Sequence, residues 1–321
     1  MEGFVLGGMA RSPRARRILR DLEKGVIHES DAWRAVLEEN VSLAWLQVGA
    51  GLTVVSDPVI EWHDLFRPFA ESWRGCFPGG LLRFFDNNFF YRVPTFLELP
   101  SPTKPVLAPR VRALVERLPR WVKLKVVLPG PITFARMSKA PPGVDFGVFV
   151  EELAKVLREE ARLAIEAGAR VIEVDEPWLC DVDASRSDAE LATELFRKYF
   201  ANLGAETVLA TYFSPPTPSI WEVLANAGAS YVTIDVVDSP KRAREALEKA
   251  VPEGVALGVV QARDLLDPPL ELVKEFARLC EERGAKRVAL TTSAWLDLLP
   301  FDASIEKVIK LGRLLRALSG G

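Results

Sequence analysis

Strand-like and helix-like segments alternate along this chain, and the number of repeats is the feature that most constrains its fold. Two early apolar runs, Phe4 to Leu6 and Leu52 to Val55, are followed by six more from Lys123 onward. The six later runs are Leu124 to Leu128, Val171 to Asp175, Val208 to Phe213, Tyr231 to Asp235, Val255 to Gln261 and Arg287 to Ser293. Segments with helical periodicity separate them. Eight strand–helix units are the number that closes a parallel barrel.

The runs are almost continuously apolar, as expected for strands that are buried on both faces. The pattern therefore predicts an α/β fold, a (β/α)8 TIM barrel that forms a single domain over residues 1–321. The main alternative is an open doubly wound sheet. It is less favoured because no strand is followed by a Gly-x-Gly-x-x-Gly sequence.

One segment, residues 72–109, interrupts the alternation of strands and helices. It is rich in aromatic residues, notably from Phe84 to Pro94, and is too apolar for a flexible linker. The sequence therefore predicts an aromatic-rich insertion between the second and third barrel strands, in the form of a hairpin or arm packed over one end of the barrel.

Composition and charge narrow the class of protein. The chain has 41 Lys and Arg against 44 Asp and Glu, so its bulk charge gives no reason to expect nucleic acid or an anionic membrane as partner. Three widely spaced cysteines do not form a disulfide framework. No basic segment precedes an apolar core at the amino terminus, and every apolar run is shorter than about 18 residues. These features are typical of a cytoplasmic protein.

The run Val171 to Asp175 ends in two adjacent carboxylates, Asp175 and Glu176, followed by Pro177. Proline cannot donate to a sheet ladder, and the carboxyl ends of parallel strands are where barrel active sites form. We therefore expect Asp175 and Glu176 to be catalytic. One would bind a substrate ammonium group or act as acid and base, and the other would orient it. The alternative is that Glu176 pairs with an arginine on a neighbouring loop.

The remaining strand ends also carry polar side chains that are candidates for substrate binding. They are Arg11, Asp57, Tyr212, Ser214, Asp235, Gln261 and Ser293. Asp57, Asp175 and Asp235 would point into one mouth, where close carboxylates shift each other's pKa values or bind a cation. Arg11 opens an arginine-rich segment that could meet an anionic tail. Such residues are also ordinary turn and helix-cap residues, and an arginine run is also typical of a solvated helix face.

Several of these segments together resemble the cobalamin-independent methionine synthase family, whose long members contain two related barrels. The matching motifs are Val171 to Trp178 with its Asp-Glu-Pro sequence, Leu128 to Phe134 with its Gly-Pro sequence, and Leu257 to Arg263. Leu209 to Phe213 and Phe84 to Pro94 are similar to segments of the family's amino-terminal barrel. The resemblance implies a role in methionine biosynthesis, with transfer of a methyl group to homocysteine.

The family's catalytic barrel holds a zinc ion through His-x-Cys, a Glu and a later Cys. The matching positions here are Tyr212, Ser214, Asp235 and Ser293. Zinc prefers nitrogen and sulfur ligands, so the resemblance implies no metal or other cofactor in this chain. It implies instead the metal-free subunit of a split enzyme, with zinc on a partner chain that carries the catalytic barrel. The methyl donor would be a folate or a methylcorrinoid protein.

Two further hypotheses remain open from the sequence. The chain could be a stand-alone methyltransferase or decarboxylase that uses its acidic mouth alone. It could also be a non-catalytic barrel with a structural or ligand-sensing role, in which Asp175 and Glu176 are part of the scaffold.

Overall fold

A computed structural model describes residues 1–319, which form ten strands and eleven α-helices. The strands are β1 (Glu2–Phe4), β2 (Val54–Ser56), β3 (Trp73–Arg83), β4 (Phe90–Pro102), β5 (Lys123–Pro129), β6 (Val171–Asp175), β7 (Glu206–Ala210), β8 (Tyr231–Asp235), β9 (Gly254–Val260) and β10 (Arg287–Thr292). The helices are α1 (Pro13–Glu23), α2 (Glu29–Ala50), α3 (Arg67–Ala70), α4 (Ala108–Val115), α5 (Pro131–Arg136), α6 (Phe146–Ala167), α7 (Arg186–Tyr199), α8 (Pro218–Leu224), α9 (Pro240–Lys249), α10 (Leu270–Glu282) and α11 (Phe301–Ser319).

Eight of the strands form a parallel sheet in the order β1-β10-β9-β8-β7-β6-β5-β2. The outer strands, β1 and β2, meet at the seam. There the Ser56 hydroxyl donates to the Val5 carbonyl at 2.6 Å, and the Met9 N–H donates to the Pro58 carbonyl at 2.9 Å. The predicted (β/α)8 barrel is thereby confirmed.

Local sequence signals explain where several helices begin. Ser12 accepts a hydrogen bond from the Ala15 N–H before α1, and Asp145 accepts from two N–H groups at the start of α6. Ser185 and Asp188 form a reciprocal capping box at the start of α7. These caps fix the points at which the chain turns from the carboxyl end of one strand into the next helix.

The insertion between the second and third barrel strands is an antiparallel hairpin made of β3 and β4. Its inner face packs on the barrel through Tyr91, Val93 and Phe96, which are almost completely buried. Phe96 meets Phe134 of α5 and Phe149 of α6, with ring centroids 6.0 and 5.0 Å apart. Burial of this aromatic surface anchors the hairpin over the carboxyl ends of the strands.

A buried ion pair lies inside the barrel. Lys125 of β5 and Glu173 of β6 form a salt bridge, with side chains 1% and 0% exposed. Glu173 also accepts a hydrogen bond of 2.6 Å from the Gly7 N–H, which follows β1. Because β1 and β6 are three strands apart around the barrel, Glu173 reaches across part of its interior. Side chains alternate along a strand, so Asp175 also points inward, nearer the carboxyl end.

The predicted strand positions agree closely with the structure. β6 and β8 have the bounds predicted for them, whereas β1, β2 and β7 are displaced by one to three residues. Within the described part of the chain, no helix combines the length and apolar character needed to cross a membrane.

Candidate functional site at the carboxyl ends of the strands

Asp175 is the centre of a buried hydrogen-bonded cluster at the end of β6. Its Oδ2 accepts from the Tyr212 hydroxyl at 2.9 Å and from the Trp295 indole N–H at 2.8 Å. Its Oδ1 is buried and has no hydrogen-bond partner among the described residues. Burial, followed by the charge of Glu173, raises the pKa of Asp175 well above its usual range. This environment favours the neutral carboxylic acid.

Gly7 makes this cluster possible. Its φ of +51° lies in the left-handed region, and a Cβ atom added there would stand 1.8 Å from Nε1 of Trp295. Any other residue would displace the indole that donates to Asp175.

Glu176 does not face the mouth. Its carboxylate turns toward the start of α5 and accepts from the Ile132 N–H at 3.0 Å, the Thr133 N–H at 2.7 Å and the Thr133 hydroxyl at 2.7 Å. Burial raises the pKa of Glu176 to about 7. The side chain therefore ties β6 to α5. The expected pair of carboxylates acting together at the mouth is not present, because Glu176 satisfies backbone groups instead.

A cleft runs across the carboxyl face beneath the hairpin turn and is divided by Phe89. On one side is a smaller chamber of about 230 Å³, and on the other a larger chamber of about 550 Å³. A narrow apolar pocket between them is walled by Phe84, Phe213 and Trp295. Phe89 and Asp297 line all three cavities. The three cavities therefore meet at these two side chains.

The smaller chamber has cationic and aromatic walls, including Arg11, Arg16, His63 and Trp295. Arg11 donates to the carbonyls of Ile60 and Trp62, both at 2.5 Å, so its position is fixed. Burial, followed by the charge of Arg11, lowers the pKa of His63, so this imidazole is neutral at pH 7. Burial raises the pKa of Asp297 to about 7. The chamber thus combines arginine donors with a carboxyl group that titrates near neutrality.

The larger chamber is lined by a polar network. The Ser293 hydroxyl donates to Oε1 of Gln261 at 3.1 Å, and the Gln261 amide donates to Asp238 at 2.9 Å. Arg263 pairs with the same aspartate. Across the chamber, the hairpin turn contributes Arg83 and three polar residues. The predicted residues Gln261 and Ser293 are therefore brought together, but their hydrogen-bonding groups already bind each other.

Three non-glycine residues have positive φ angles among the described residues, and all three lie at this cleft. Val59 lines the smaller chamber, and Phe213 lines the apolar pocket. The third, Phe85 of the hairpin turn, meets Phe213 with ring centroids 5.6 Å apart. Such conformations cost about 1–3 kcal/mol each and cluster at binding sites and switches. The hairpin turn is held over the mouth through two strained residues.

The sequence analysis predicted that Asp57 points into the mouth with Asp175, and this prediction is wrong. Asp57 forms a bidentate salt bridge with Arg110 of α4, with bonds of 2.6 and 3.0 Å, in the helix layer outside the barrel. Arg110 supplies a strong partner there, and Val59 N–H donates to the same carboxylate at 3.2 Å. Asp57 therefore fixes the chain after β2.

Asp235 and Ser214 are also occupied by neighbouring groups. Asp235 Oδ1 accepts from the N–H groups of Val237 and Asp238 at 2.9 and 3.0 Å, which closes the turn after β8. Its Oδ2 is buried without a partner among the described residues, and burial raises the pKa of Asp235 to about 8. Ser214 accepts from Arg242 at 3.3 Å nearer the surface.

Several residues of the cleft were not singled out from the sequence, among them Phe89, Phe213, Trp295 and Asp297. Trp295 and Asp297 lie two and four residues beyond Ser293, in the loop after β10. Barrel sites are built from these loops as well as from the strand ends. Extending the search by one turn beyond each strand would have found them.

The four positions that align with the family's zinc ligands do not fit a zinc ion. The Tyr212 and Ser293 hydroxyls donate to Asp175 and Gln261, and the free oxygen of Asp235 is buried. Burial raises the pKa of the nearby Cys180 thiol, which disfavours the thiolate that binds metals. Among the described residues, no group of three or more His, Cys, Asp or Glu side chains is arranged around a common metal position.

Residues 74–281 match the sequence model of the family described as the N-terminal domain of cobalamin-independent synthase. The chain belongs to this family. A family relative from Mycolicibacterium paratuberculosis, 5-methyltetrahydropteroyltriglutamate–homocysteine methyltransferase, is 30% identical over 262 residues, which are 79% of this chain and 33% of the relative. The enzyme of the same name from Rhodopseudomonas palustris is 28% identical over 75% of this chain and 33% of its own length. The chain thus spans about a third of the curated relatives it matches.

Solved structures share the fold of this family member. A B12-independent methionine synthase from Shewanella sp. W3-18-1, in complex with selenomethionine, has a TM-score of 0.80 at 16% identity and covers 99% of this chain and 98% of its own. A putative vitamin-B12 independent methionine synthase from Listeria monocytogenes has a TM-score of 0.77 at 14% identity, covering 98% and 96%. At these identities the likeness establishes the barrel architecture.

Proposed function

We propose that this barrel is the metal-free, amino-terminal-type part of a methionine synthase and acts with a zinc-bearing barrel on a partner chain. The partner's zinc would activate homocysteine as a thiolate. The barrel described here would hold the methyl donor and close over it. The reaction transfers a methyl group from a 5-methyltetrahydropteroyl compound, or from a methylcorrinoid protein, to the sulfur of homocysteine.

The side chains at the four positions aligned with zinc ligands carry this proposal. Tyr212, Ser214 and Ser293 have hydroxyl groups in place of nitrogen and sulfur ligands, and Asp235 replaces a glutamate. All four side chains form hydrogen bonds with neighbours. A free thiol with a pKa near about 8.5 is mostly protonated at neutral pH. A second barrel must therefore supply the activated thiolate.

The smaller chamber supports a methyl donor with an acidic tail. Arg11 and Arg16 can bind carboxylates, and Trp295 and Phe89 offer flat surfaces on which a ring can stack. A 5-methyltetrahydropteroyl compound with a glutamate tail combines these two chemical features. We therefore favour the folate type of donor over the methylcorrinoid protein.

The proposal is tested by mixing the purified protein with the zinc-bearing carboxyl-terminal barrel of a family enzyme. Association is measured by analytical ultracentrifugation, and methionine formation by chromatography with a 5-methyltetrahydropteroyltriglutamate donor. We expect a complex that forms methionine, and no turnover by either barrel alone. Zinc analysis of each chain should place the metal on the partner. Stoichiometric zinc in this barrel, or no association and no effect on methyl transfer, would contradict the proposal.

A matched pair of variants tests the role of the smaller chamber. Arg16→Gln removes an exposed cation that lines it and should weaken donor binding about tenfold, a loss typical of one charge-assisted bond. Arg34→Gln removes an exposed arginine on α2 whose one salt bridge among the described residues is to Asp31 at 3.3 Å, and should have no effect. Methyl transfer or decarboxylation by the isolated barrel would instead favour the stand-alone enzyme.

A further inference from the structure

The hairpin has an outer face that nothing in the described chain covers. Residues pair across the two strands as Phe77 with Thr95, Leu81 with Arg92 and Arg83 with Phe90. Side chains directly opposite each other share a face. Near the turn, Phe90 and Arg92 alternate with the buried Tyr91 and Val93 and point away from the barrel. Beyond Pro94 the buried residue of β4 is Phe96, and its neighbours Thr95 and Leu97 stand on the exposed side. Leu97 and Leu99, which follow the buried Phe96, are also exposed. We call Phe77, Leu81, Phe90, Arg92, Leu97 and Leu99 the outer hairpin face.

The apolar residues of this face are strongly exposed. The exposed fractions are 44% for Phe77, 59% for Leu81, 56% for Phe90, 68% for Leu97 and 37% for Leu99. From Phe90 to Leu99, at about 3.3 Å per residue, the face extends along β4 for about 30 Å. A continuous apolar surface of this length is typical of an interaction site, since water-exposed monomer surfaces rarely carry one.

The outer hairpin face contains one charged residue, Arg92. Arg92 donates to the Gly79 carbonyl at 3.0 Å and forms no salt bridge among the described residues. Two other arginines of the hairpin already have partners, because Arg83 pairs with Asp86 at 3.6 Å and Arg74 pairs with Glu98 at 3.2 Å. Interfaces are enriched in aromatic residues and arginine, so this composition fits a partner with an apolar surface bordered by carboxylates.

The hairpin turn links this face to the cleft. Arg83 and Phe89 line the larger chamber, a few residues from Leu81 and Phe90. A thiolate must come within about 3–3.5 Å of the methyl group that it attacks, so a second barrel has to approach this mouth. In the curated relatives the matched region is about a third of the polypeptide, so about two thirds of each relative lies outside it.

From this geometry we propose that the outer hairpin face is the docking surface for the companion barrel, which contributes an apolar patch bordered by Asp and Glu. This inference rests on the function proposed above and adds the place of contact. Binding buries the exposed leucines and phenylalanines, and Arg92 pairs with a carboxylate of the partner. The hairpin turn then lies between the mouth of this barrel and the mouth of the companion barrel.

The test uses exposed residues, whose replacement leaves the barrel core intact. Phe90→Ser, Leu97→Ser and Arg92→Glu are compared with Trp121→Ser, which removes an aromatic side chain that is 59% exposed outside the hairpin. Affinity for the zinc-bearing barrel is measured by isothermal titration calorimetry, with circular dichroism as a check of folding. We expect each hairpin variant to bind at least tenfold more weakly. Trp121→Ser should bind as the wild type does, and Arg92→Glu should reduce the salt dependence of binding.

The outcomes separate this inference from the proposed function. If the wild type binds the zinc-bearing barrel and the hairpin variants bind equally well, the docking surface lies elsewhere and the proposed function stands. If the wild type does not bind it, both are overturned. If light scattering instead shows a homodimer that Leu97→Ser dissociates, the face joins two copies of this chain and the inference is overturned.

Discussion

Tyr212 donates its hydroxyl hydrogen to Oδ2 of Asp175 over 2.9 Å, and this contact joins the ends of β6 and β7 inside the barrel mouth. Trp295 donates to the same oxygen, so one buried carboxyl oxygen satisfies two donors. Asp175 is completely buried and its pKa is raised, so the cluster favours the neutral form of this carboxyl group. The Asp-Glu-Pro sequence thus marks a buried polar centre beneath the cleft.

Two replacements of Asp175 should separate the contribution of its oxygen as a hydrogen-bond acceptor from the contribution of its titration. Asp175→Ala leaves the Tyr212 and Trp295 donors buried and unpaired and should reduce the free energy of unfolding by about 2–5 kcal/mol. Asp175→Asn keeps an acceptor and should cost less. A raised folded-state pKa means that wild-type stability falls as pH rises, so the cost of Asn should be smaller at pH 8 than at pH 5. Urea unfolding at the two pH values measures this, and an equal cost at both would contradict it.

Gly130 leaves the space in which Glu176 reaches α5. A Cβ atom at this position would lie 2.1 Å from Cδ of Glu176. Gly130→Ala should therefore displace the carboxylate and lower the free energy of unfolding by about 1–3 kcal/mol, as overpacking does. Gly49→Ala is the matched control, because no atom lies within 4 Å of its added Cβ and alanine favours helix α2 by up to about 1 kcal/mol. A Gly130→Ala protein as stable as the control would show that Glu176 can move freely.

Glu176 should make stability depend on pH. Its pKa is raised to about 7 in the folded protein, so the group contributes stability that is fully present below its ordinary pKa and is lost as pH rises through about 7. The loss is on the order of 3 kcal/mol. Glu176→Gln cannot titrate and should lack this part of the pH dependence. Its NH2 group would face the backbone N–H donors of α5, which should lower the free energy of unfolding by about 1–3 kcal/mol at every pH. Parallel slopes for wild type and variant between pH 5 and 8 would refute the assignment.

The buried Lys125–Glu173 pair should show strong coupling. Lys125→Met leaves Glu173 charged inside the barrel with only the Gly7 N–H as partner, which should cost about 3–5 kcal/mol. Combining it with Glu173→Gln removes the unpaired charge and should recover a large part of that loss. A double-mutant cycle of unfolding free energies measures the coupling. Additive effects of the two replacements would mean that the residues act independently.

The sequence predicted the barrel well because its signal is local. The apolar runs of β6 and β8 end in charged residues, and their predicted bounds match the structure. β1 was placed two residues late, since the apolar run continues through Leu6, whose N–H bonds to the Thr292 side chain instead of a ladder partner. Val5 and Leu6 are apolar and so resemble strand residues, although the ladder hydrogen bonds of β1 end at Phe4.

The directions of the polar side chains at the mouth could not be predicted from local sequence. Glu176 turns toward α5 because Gly130 leaves room for it, and these residues are 46 positions apart in the sequence. Asp57 turns outward because it forms a salt bridge with Arg110 of α4. Asp297 enters the cleft from a loop whose path no periodicity predicts. Partners distant in sequence therefore decide which polar strand ends face a ligand.

Asp297 should regulate the binding of anions in the smaller chamber. It shares that chamber with Arg11 and Arg16, and its pKa is raised to about 7. As pH rises through this value, Asp297 becomes negative and opposes the arginines, so affinity for an anionic tail should fall about three- to tenfold between pH 6.5 and 8.

Replacement of Asp297 tests this dependence. Asp297→Asn should retain the higher affinity at pH 8 and abolish most of the decrease, whereas Asp302→Asn, an exposed carboxylate on α11, should behave as the wild type does. The pKa of His63 is lowered, so it stays neutral over most of this range and His63→Gln should preserve the decrease. Titration calorimetry with 5-methyltetrahydropteroyltriglutamate at four pH values measures the effect. A decrease that persists in Asp297→Asn would assign the titration to another group, because no charge then changes at position 297.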